Sequence, residues 1–389
     1  MLFRIAMFVV SGLVHYYVFR RVMAVIEPSK RTRWIAAAIA ILLFLSIPLQ
    51  SSARMWAPGL STALGWVSGP WLAFIGVSAT YFAILDVIHG AIWLSRRALR
   101  RPAPTTTALS RREFLARVGG GAAIAVSGAS VGLGMMEARG EHEIVTIEIP
   151  LAKLPKALDG FSIVQLSDLH TGMTIDAAFV QRVVDRANAL KPDLIALTGD
   201  LVDGTVENLR PDIAPLAELR APHGVFAVTG NHEYYAGADA WIAEITRLGA
   251  RYLRNERVTI GSGDASFDLA GVDDYSAKDW PGHGEDLGAA TANRDASRAL
   301  VLLAHQPRQV KNAANHGVDL QLSGHTHGGQ IWPWHYLVKL QQGGLLAGKY
   351  EHRGTQLYVT RGCGYWGPPV RLLAPLEITR VILRSAAAA

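Results

Sequence analysis

The segment Phe161-Ser-Ile-Val-Gln-Leu-Ser-Asp-Leu-His170 is the clearest structural signal in the second half of this 389-residue chain. Its first six residues have the composition of a buried strand, and polar residues follow at the point where that strand would end. Residues two apart in an extended chain point to the same side, so Asp168 and His170 can face one bound ion. The segment therefore predicts a β-strand with metal-binding residues at its carboxyl end.

Four further apolar runs in this half are each followed by polar residues of the same kinds. The runs and the motifs after them are 194–197 with Gly199-Asp200, 225–228 with Gly230-Asn-His-Glu233, 300–303 with His305, and 320–322 with Gly324-His-Thr-His327. A helical pattern over 176–190 separates the first two strands, as in a βαβ unit. Ligand sites of α/β sheets lie at the carboxyl ends of the strands, so this half is predicted to be α/β with one shared site.

The donor atoms in these motifs define the kind of ion expected. They are carboxylate and amide oxygens and imidazole nitrogens, which suit Zn, Mn or Fe and are numerous enough for two divalent ions. The chain has one cysteine, Cys363, which excludes a disulfide framework and a cysteine-based zinc site. Glycines before Asp200, Asn231 and His325 permit sharp turns and a close approach of the backbone.

Taken in order, these motifs resemble those of the calcineurin-like metallophosphoesterase superfamily, over about residues 158 to 384. Three longer segments resemble its bacterial membrane-anchored or twin-arginine-exported branch. They are Gly324-His-Thr-His-Gly-Gly-Gln330, Gly199-Asp-Leu-Val-Asp203 and Trp366-Gly-Pro-Pro369. The resemblance implies two facing β-sheets flanked by helices, and a metal-dependent phosphoester hydrolase that favours phosphodiesters.

The resemblance also implies a role for each site residue. One metal ion would be held by Asp168, His170, Asp200 and His327, and the other by Asp200, Asn231, His305 and His325. Two ions lower the pKa of a shared water, so a bridging hydroxide would attack phosphorus in line. His232 would protonate the departing oxygen. Asp203 either orients His232 or is a loop acid that closes a turn. Glu233 is expected to support the site without binding metal, and Asp273 and Asp274 are expected in a solvated turn.

The first half of the chain has the character of a membrane unit. Four apolar stretches lie at about 5–25, 34–49, 66–94 and 118–136. A span needs to cross roughly 30 Å of hydrocarbon, for which the second and fourth stretches are near the short limit. We therefore predict a helical membrane unit over 1–139 and a catalytic domain over 140–389.

The charges predict how this unit is oriented. Residues 1–139 contain 15 Lys and Arg against 4 Asp and Glu, whereas 140–389 contain 23 against 28. The positive residues concentrate between the first and second stretches and between the third and fourth, and such loops stay in the cytoplasm. A multi-pass protein of the bacterial inner membrane follows, with the catalytic domain on the extracytoplasmic side. The net charge of +6 thus reflects topology, and no nucleic-acid partner is expected.

Several features of the sequence allow more than one interpretation. Ser110-Arg-Arg-Glu-Phe-Leu115 resembles a twin-arginine export signal, which would make the export machinery a partner, or is an ordinary basic loop. Asp86 and His89 lie in the third apolar stretch and either have a function or face the helix bundle or the interface. The aromatic segments 331–335 and 362–367 would pack as loops, stack on substrate or enter the bilayer.

Three alternative functions compete with a membrane-anchored phosphodiesterase. A pyrophosphate hydrolase acting on a nucleotide-linked lipid such as UDP-diacylglucosamine would need the catalytic domain in the cytoplasm. A non-catalytic, metal-stabilised binding module would have no need of His232. A nuclease is disfavoured because the net charge of −5 on the second half repels a polyanion. Location at a membrane indicates a lipid-linked or cell-envelope phosphoester as the substrate.

Overall fold

A computed structural model of the chain describes residues 2–53, 56–99 and 106–386. The chain divides into two compact units. One comprises Met1–Met136 with Gly367–Val370, and the other comprises Glu137–Trp366 with Arg371–Ala389. We call the first the helical unit and the second the α/β unit.

The helical unit contains four helices that are long and apolar enough to cross a membrane. They are α1 (Leu2–Ile26), α2 (Lys30–Ala53), α3 (Pro58–Ala98) and α4 (Thr106–Ala138). Large apolar side chains point outward; Leu42 and Val87, for example, are 68% and 71% exposed. Such a surface is unfavourable in water and favourable in lipid, so these helices indicate membrane association.

Asp86, one of the ionisable residues of the helical unit, is paired with residues of α1. Asp86 accepts a hydrogen bond from the Tyr17 hydroxyl at 2.6 Å and forms an ion pair with Arg21 at 3.1 Å. Asp86 therefore faces partners on α1, whereas His89 is exposed. The backbone of the predicted export motif belongs to α4, but the side chains of 110–113 and 115 lie outside the described residues.

The α/β unit is built from twelve strands and seven helices among its described residues. The strands are β1 (Glu143–Leu151), β2 (Ser162–Leu166), β3 (Leu194–Leu197), β4 (Val225–Ala227), β5 (Arg251–Tyr252), β6 (Glu256–Ser262), β7 (Ala265–Gly271), β8 (Leu300–Leu303), β9 (Leu320–Ser323), β10 (Gly348–His352), β11 (Thr355–Val359) and β12 (Glu377–Ser385). The helices are α5 (Ala177–Ala189), α6 (Val206–Ile213), α7 (Asn231–Ala236), α8 (Ala238–Arg247), α9 (Leu287–Thr291), α10 (Val310–Asn315) and α11 (His335–Gln341).

The strands form two mixed six-stranded sheets. The first has the order β1-β12-β2-β3-β4-β5, in which β2 to β5 are parallel to one another. The second has the order β10-β11-β9-β8-β7-β6, in which β11, β9, β8 and β7 are parallel. Parallel strands place their carboxyl ends at one edge of a sheet, which brings the loops after β2, β3 and β4 together, and likewise those after β8 and β9.

The two sheets pack face to face through one apolar core. Ile163 and Val381 of the first sheet belong to the same buried cluster as Leu269 and Val301 of the second. Helices α5, α6 and α8 cover the outer face of the first sheet, and α9 and α10 cover that of the second. The expected fold, two facing sheets flanked by helices, is therefore confirmed. The edge strands β1, β5, β6 and β10 were not predicted, because their half-exposed residues do not form apolar runs.

Candidate metal centre

All seven residues predicted as metal ligands follow the ends of five central strands, most of them in loops and Asn231 at the start of α7. They are Asp168 and His170 after β2, Asp200 after β3, Asn231 after β4, His305 after β8, and His325 and His327 after β9. The structure brings donor atoms from both sheets into three overlapping groups, two of which consist of predicted ligands only, whereas the third joins His170 and Asp200 with His232. Each residue contributes one donor atom, and the donor atoms within a group lie within 4.8 Å of one another.

The backbone at these residues adopts an unusual conformation. Asp168, His170, Asp200, His325 and His327 all have φ between 50° and 72°, in the left-handed region that non-glycine residues rarely occupy. Each residue in this conformation lowers the stability of the fold by of order 1 kcal/mol or more, and such backbone strain concentrates at functional sites. Five of them in one cluster therefore indicate a site whose geometry is maintained against local backbone preference.

The first group consists of Asp168, His170 and His327. The Nε2 atoms of the two imidazoles face each other at 3.0 Å, and Asp168 Oδ1 lies 3.5 Å from His327 Nε2. On the far side of its ring, His170 Nδ1 bonds Asp203 Oδ1 at 2.8 Å. An ionised carboxylate can only accept a hydrogen bond, so Nδ1 carries a proton, and Nε2 is the ring nitrogen that a metal ion could take over from His327.

The second group consists of Asp200, His305 and His325. His305 Nδ1 donates to the Thr198 carbonyl at 2.8 Å, which turns Nε2 toward the other members of the group. That Nε2 lies 3.1 Å from Asp200 Oδ2 and 3.3 Å from His325 Nδ1. Asp200 Oδ2 is also 3.8 Å from His170 Nε2 of the first group. Asp200 is thus the carboxylate within reach of both groups.

Asn231 provides an independent sign that a cation belongs here. Its side-chain oxygen is buried and has no hydrogen-bond partner among the described residues. A buried polar atom without a partner is costly, so its presence calls for a ligand. Amide oxygen and imidazole nitrogen are both suitable donors for Zn, Mn and Fe, and the residues of the centre therefore fit two divalent ions.

The protonation states of the centre follow from burial and close charges. Burial lowers the pKa of His325 to about 3 and also lowers that of His327, with the neighbouring imidazoles adding to both effects. Burial alone would raise the pKa of Asp200, but His305 and His232 outweigh it and keep this pKa well below its usual value. Burial alone would lower the pKa of His305, but Asp200, Asp168 and Asp274 outweigh it and raise this pKa well above its usual value. His325 and His327 are therefore neutral and Asp200 is ionised, which are the forms that bind metal, whereas a bound cation would have to displace a proton from His305.

His232 lies beside this centre and is held by Asp203. Its Nδ1 lies 2.7 Å from Asp203 Oδ1, the oxygen that also accepts from His170, and its backbone N–H donates to Asp200 Oδ1 at 2.8 Å. Burial opposes the charged form of His232, but Asp200 and Asp203 outweigh burial and raise its pKa to about 9. His232 is therefore protonated at neutral pH, with Nε2 available to donate.

We expect Asp203→Asn to change the pH dependence of hydrolysis. With His232 as the general acid that the resemblance implies, activity is lost as the pH rises through the pKa of His232, because the acid works only while it is protonated. Removing the Asp203 charge lowers that pKa, and the alkaline limb of kcat should move to lower pH. The measurement is kcat against pH for the full chain, beside Asp264→Asn in the exposed β6–β7 turn. An unmoved alkaline limb in Asp203→Asn would show that Asp203 does not set the protonation of His232.

Glu233 connects two of the ligand-bearing loops. Its buried carboxylate accepts the backbone N–H groups of Asp200 at 3.0 Å, Leu201 at 2.7 Å and Gly230 at 2.6 Å. These bonds fix the loop after β3 against the loop after β4, in agreement with the expectation of a supporting role. A Cβ at Gly230 would collide with the Asp200 side chain, so only glycine permits this approach.

Other residues around the centre were missed from the sequence. Asp273 and Asp274 are buried, so the expectation of a solvated turn was wrong; Asp273 binds Arg254 at 2.8 and 2.9 Å. The fully buried Arg371 donates to the carbonyls of Gly364 at 2.8 Å and Ala374 at 2.9 Å, and its Nη2 lies 3.1 Å from His327 Nδ1. No local pattern marks such residues, because their partners are other loops.

The sequence matches a known protein family over the residues that form the candidate metal centre. Residues 161–329 match the model of the calcineurin-like phosphoesterase family. The YkuE metallophosphoesterase of Bacillus subtilis is 34% identical over 287 residues, which cover 71% of this chain and 98% of the relative. The chain belongs to the metallophosphoesterase family. Members typically bind two divalent metal ions, and membership supports a phosphoester hydrolase.

Two further relatives extend the comparison. A metallophosphoesterase of Helicobacter pylori is 41% identical over 247 residues, covering 63% of this chain and 65% of the relative. A transmembrane protein with a metallophosphoesterase domain from Danio rerio is 37% identical over 264 residues, covering 65% of this chain and 60% of the relative. The chain thus spans less than two thirds of the length of these two relatives.

Proposed function

We propose that this protein is a membrane-anchored, binuclear metal phosphodiesterase. The observation that carries the proposal is the convergence of two adjoining ligand groups beside a protonated His232. One ion would be held by Asp168, His170, Asp200 and His327, and the other by Asp200, Asn231, His305 and His325. When bound, the ions activate water and neutralise charge on the phosphoryl oxygens.

The chain's own residues complete the reaction. His232 donates the proton that the departing oxygen needs when the bond to phosphorus breaks, while Asp203 keeps the imidazole oriented and charged. The position of His232, a proton donor, beside the metal ligands favours an enzyme over a binding module, since metal binding alone requires no proton donor. The native ions are Zn, Mn or Fe.

Hydrolysis by the purified full chain tests this proposal. We expect metal-dependent release of p-nitrophenol from bis(p-nitrophenyl) phosphate after loading with Mn or Zn, with slower release from p-nitrophenyl phosphate. Chelation should abolish the activity and readdition of metal should restore it, while elemental analysis reports which ions are bound. A chain that holds two ions per molecule yet cleaves neither ester would support the binding-module alternative.

The location of the α/β unit forms a second part of the proposal. We propose that 1–139 is a membrane unit of the bacterial inner membrane, that its basic loops are cytoplasmic and that 140–389 lies outside the cytoplasm. A C-terminal alkaline-phosphatase fusion should be active and a C-terminal green fluorescent protein fusion dark. The opposite result would place the domain in the cytoplasm and favour hydrolysis of a nucleotide-linked lipid.

The segment 110–115 would direct the α/β unit to the twin-arginine export machinery, which would move it out of the cytoplasm. Export through that route depends on the arginine pair, so Arg111→Lys with Arg112→Lys should leave the α/β unit in the cytoplasm, as scored with the alkaline-phosphatase fusion. Full activity of the fusion in this variant would show that the segment is an ordinary basic loop.

A further inference from the structure

Large apolar side chains are exposed at only a few places on the described part of the α/β unit, and most of them lie close together in sequence. There are seven, of which five fall between residues 336 and 373. We call these five the apolar rim: Tyr336, Leu337, Leu340, Trp366 and Leu373. Leu340 and Leu373 are each 79% exposed.

The apolar rim comes from two segments that are bound to each other. The Gln330 side chain bonds the carbonyl of Trp366 at 2.8 Å and its N–H at 2.9 Å. Ile331 pairs with Leu372 in a parallel bridge, and Trp332 N–H donates to the Leu372 carbonyl at 3.2 Å. Helix α11, which carries Tyr336, Leu337 and Leu340, starts only three residues after Trp332. The exposed apolar side chains therefore belong to one connected surface element.

This element adjoins the candidate metal centre. Gln330 lies three residues after His327, and the ring of Trp366 lies edge-on to the ring of His232, with the centroids 6.0 Å apart. The ring of Tyr235, which is also exposed, has its centroid 5.3 Å from that of His232. A surface that binds the apolar rim therefore lies next to His232, the proposed proton donor to the leaving group.

The composition of the apolar rim fits a lipid surface. Trp and Tyr favour the boundary between headgroups and acyl chains, and leucine gains free energy when it enters the acyl region. The chain can itself attach to a membrane, because four of its helices are long and apolar enough to span one. Only residues 139–142 separate α4 from β1, so an inserted α4 keeps the α/β unit tethered at the bilayer.

We propose that the apolar rim inserts into the lipid bilayer interface, and that the substrate is a phosphodiester displayed by the bilayer, such as a lipid headgroup linkage. The proposal rests on the proposed phosphodiesterase function and adds the source of the substrate. Insertion holds the metal centre at headgroup level. The bond from phosphorus to the headgroup oxygen breaks, water supplies the new oxygen on phosphorus, and His232 gives its proton to the departing headgroup.

Fluorescence of the full chain in lipid nanodiscs tests insertion. Cys363 is buried, so a cysteine introduced at an exposed position is the one that reacts with an environment-sensitive dye. The dye on Leu340→Cys should emit at shorter wavelength and be quenched by lipids that carry a spin label in the upper acyl chain. The dye on Asp264→Cys, in the exposed β6–β7 turn, should show neither effect. Water-like emission without quenching at position 340 would overturn the proposal.

A pair of substrates with the same leaving group tests the substrate class. The full chain in nanodiscs is given bis(p-nitrophenyl) phosphate in solution or phosphatidyl-p-nitrophenol within the bilayer. In Leu340→Glu the rate on the lipid should fall at least about tenfold, since a charge replaces an apolar side chain in the interface, whereas the soluble ester should be cleaved at nearly the wild-type rate. Leu340→Met should cleave both at nearly wild-type rates.

The possible outcomes separate this inference from the function on which it depends. Wild-type cleavage of the soluble ester without cleavage of the lipid would overturn the lipid substrate and leave the phosphodiesterase in place. Equal loss on both substrates in Leu340→Glu would also overturn the inference, because the residue would then act on the fold or the centre. Failure of the wild type on both substrates, with two ions bound, would count against the phosphodiesterase itself.

Discussion

Replacing Asp200 by asparagine is expected to lower kcat/KM for diester hydrolysis by on the order of a thousandfold, because the metal ions contribute several kcal/mol and each 1.4 kcal/mol is tenfold. The substitution preserves shape and keeps an acceptor for the His232 N–H. It removes the negative charge that lies 3.1 Å from His305 Nε2 and 3.8 Å from His170 Nε2. Both groups of ligands lose their shared carboxylate, so metal content should fall as well.

Three measurements on the Asp200→Asn chain distinguish loss of metal from loss of fold. Elemental analysis should find fewer than two ions per chain, and the rise in melting temperature that metal causes in the wild type should shrink. Melting in the presence of chelator should be close to that of the wild type. Asp264→Asn makes the same chemical change at an exposed turn and should leave all three quantities unaltered. Two retained ions with normal turnover would show that Asp200 does not bridge.

Replacing His232 by alanine is expected to slow hydrolysis by about 10²–10⁴-fold for leaving groups that need a proton, the usual contribution of a general acid. The loss should be much smaller for p-nitrophenolate, which departs readily as an anion. Metal content should be unchanged, because His170 and Asp200 remain in place. The effect therefore depends on the leaving group, unlike that of Asp200→Asn.

A series of methyl aryl phosphates whose phenols differ in acidity provides the measurement. The rate of the His232→Ala chain should fall more steeply with decreasing phenol acidity than the rate of the wild type. His316→Ala is a matched control, because His316 lies away from the centre, with its Nδ1 bonded to the Asn312 carbonyl at 3.0 Å. An equal loss for every phenol would assign His232 to substrate positioning or metal binding rather than to proton donation.

Much of the fold could be predicted from the sequence, because central strands are short apolar runs that end in turns. The runs at 194–197 and 300–303 coincide with β3 and β8 in the structure. Edge strands such as β6 and β10 contain at most one buried residue, so no apolar run marks them in the sequence. The helices α1 to α4 extend beyond the predicted apolar stretches, and in α2 polar residues at both ends, such as Lys30 and Gln50, continue the helix.

The sequence by itself determined which residues could meet, because ligands placed after parallel strands must share one edge of a sheet. Only the tertiary structure decided how they are held. Asp203 accepts from two imidazoles, and Arg371 reaches His327 from another loop, 44 positions away in sequence. Whether Leu340 and Trp366 are buried or exposed was likewise undetermined, because exposure depends on which distant segments pack over a side chain. Local patterns encode strand and turn, whereas these contacts exist only after the loops of both sheets have come together.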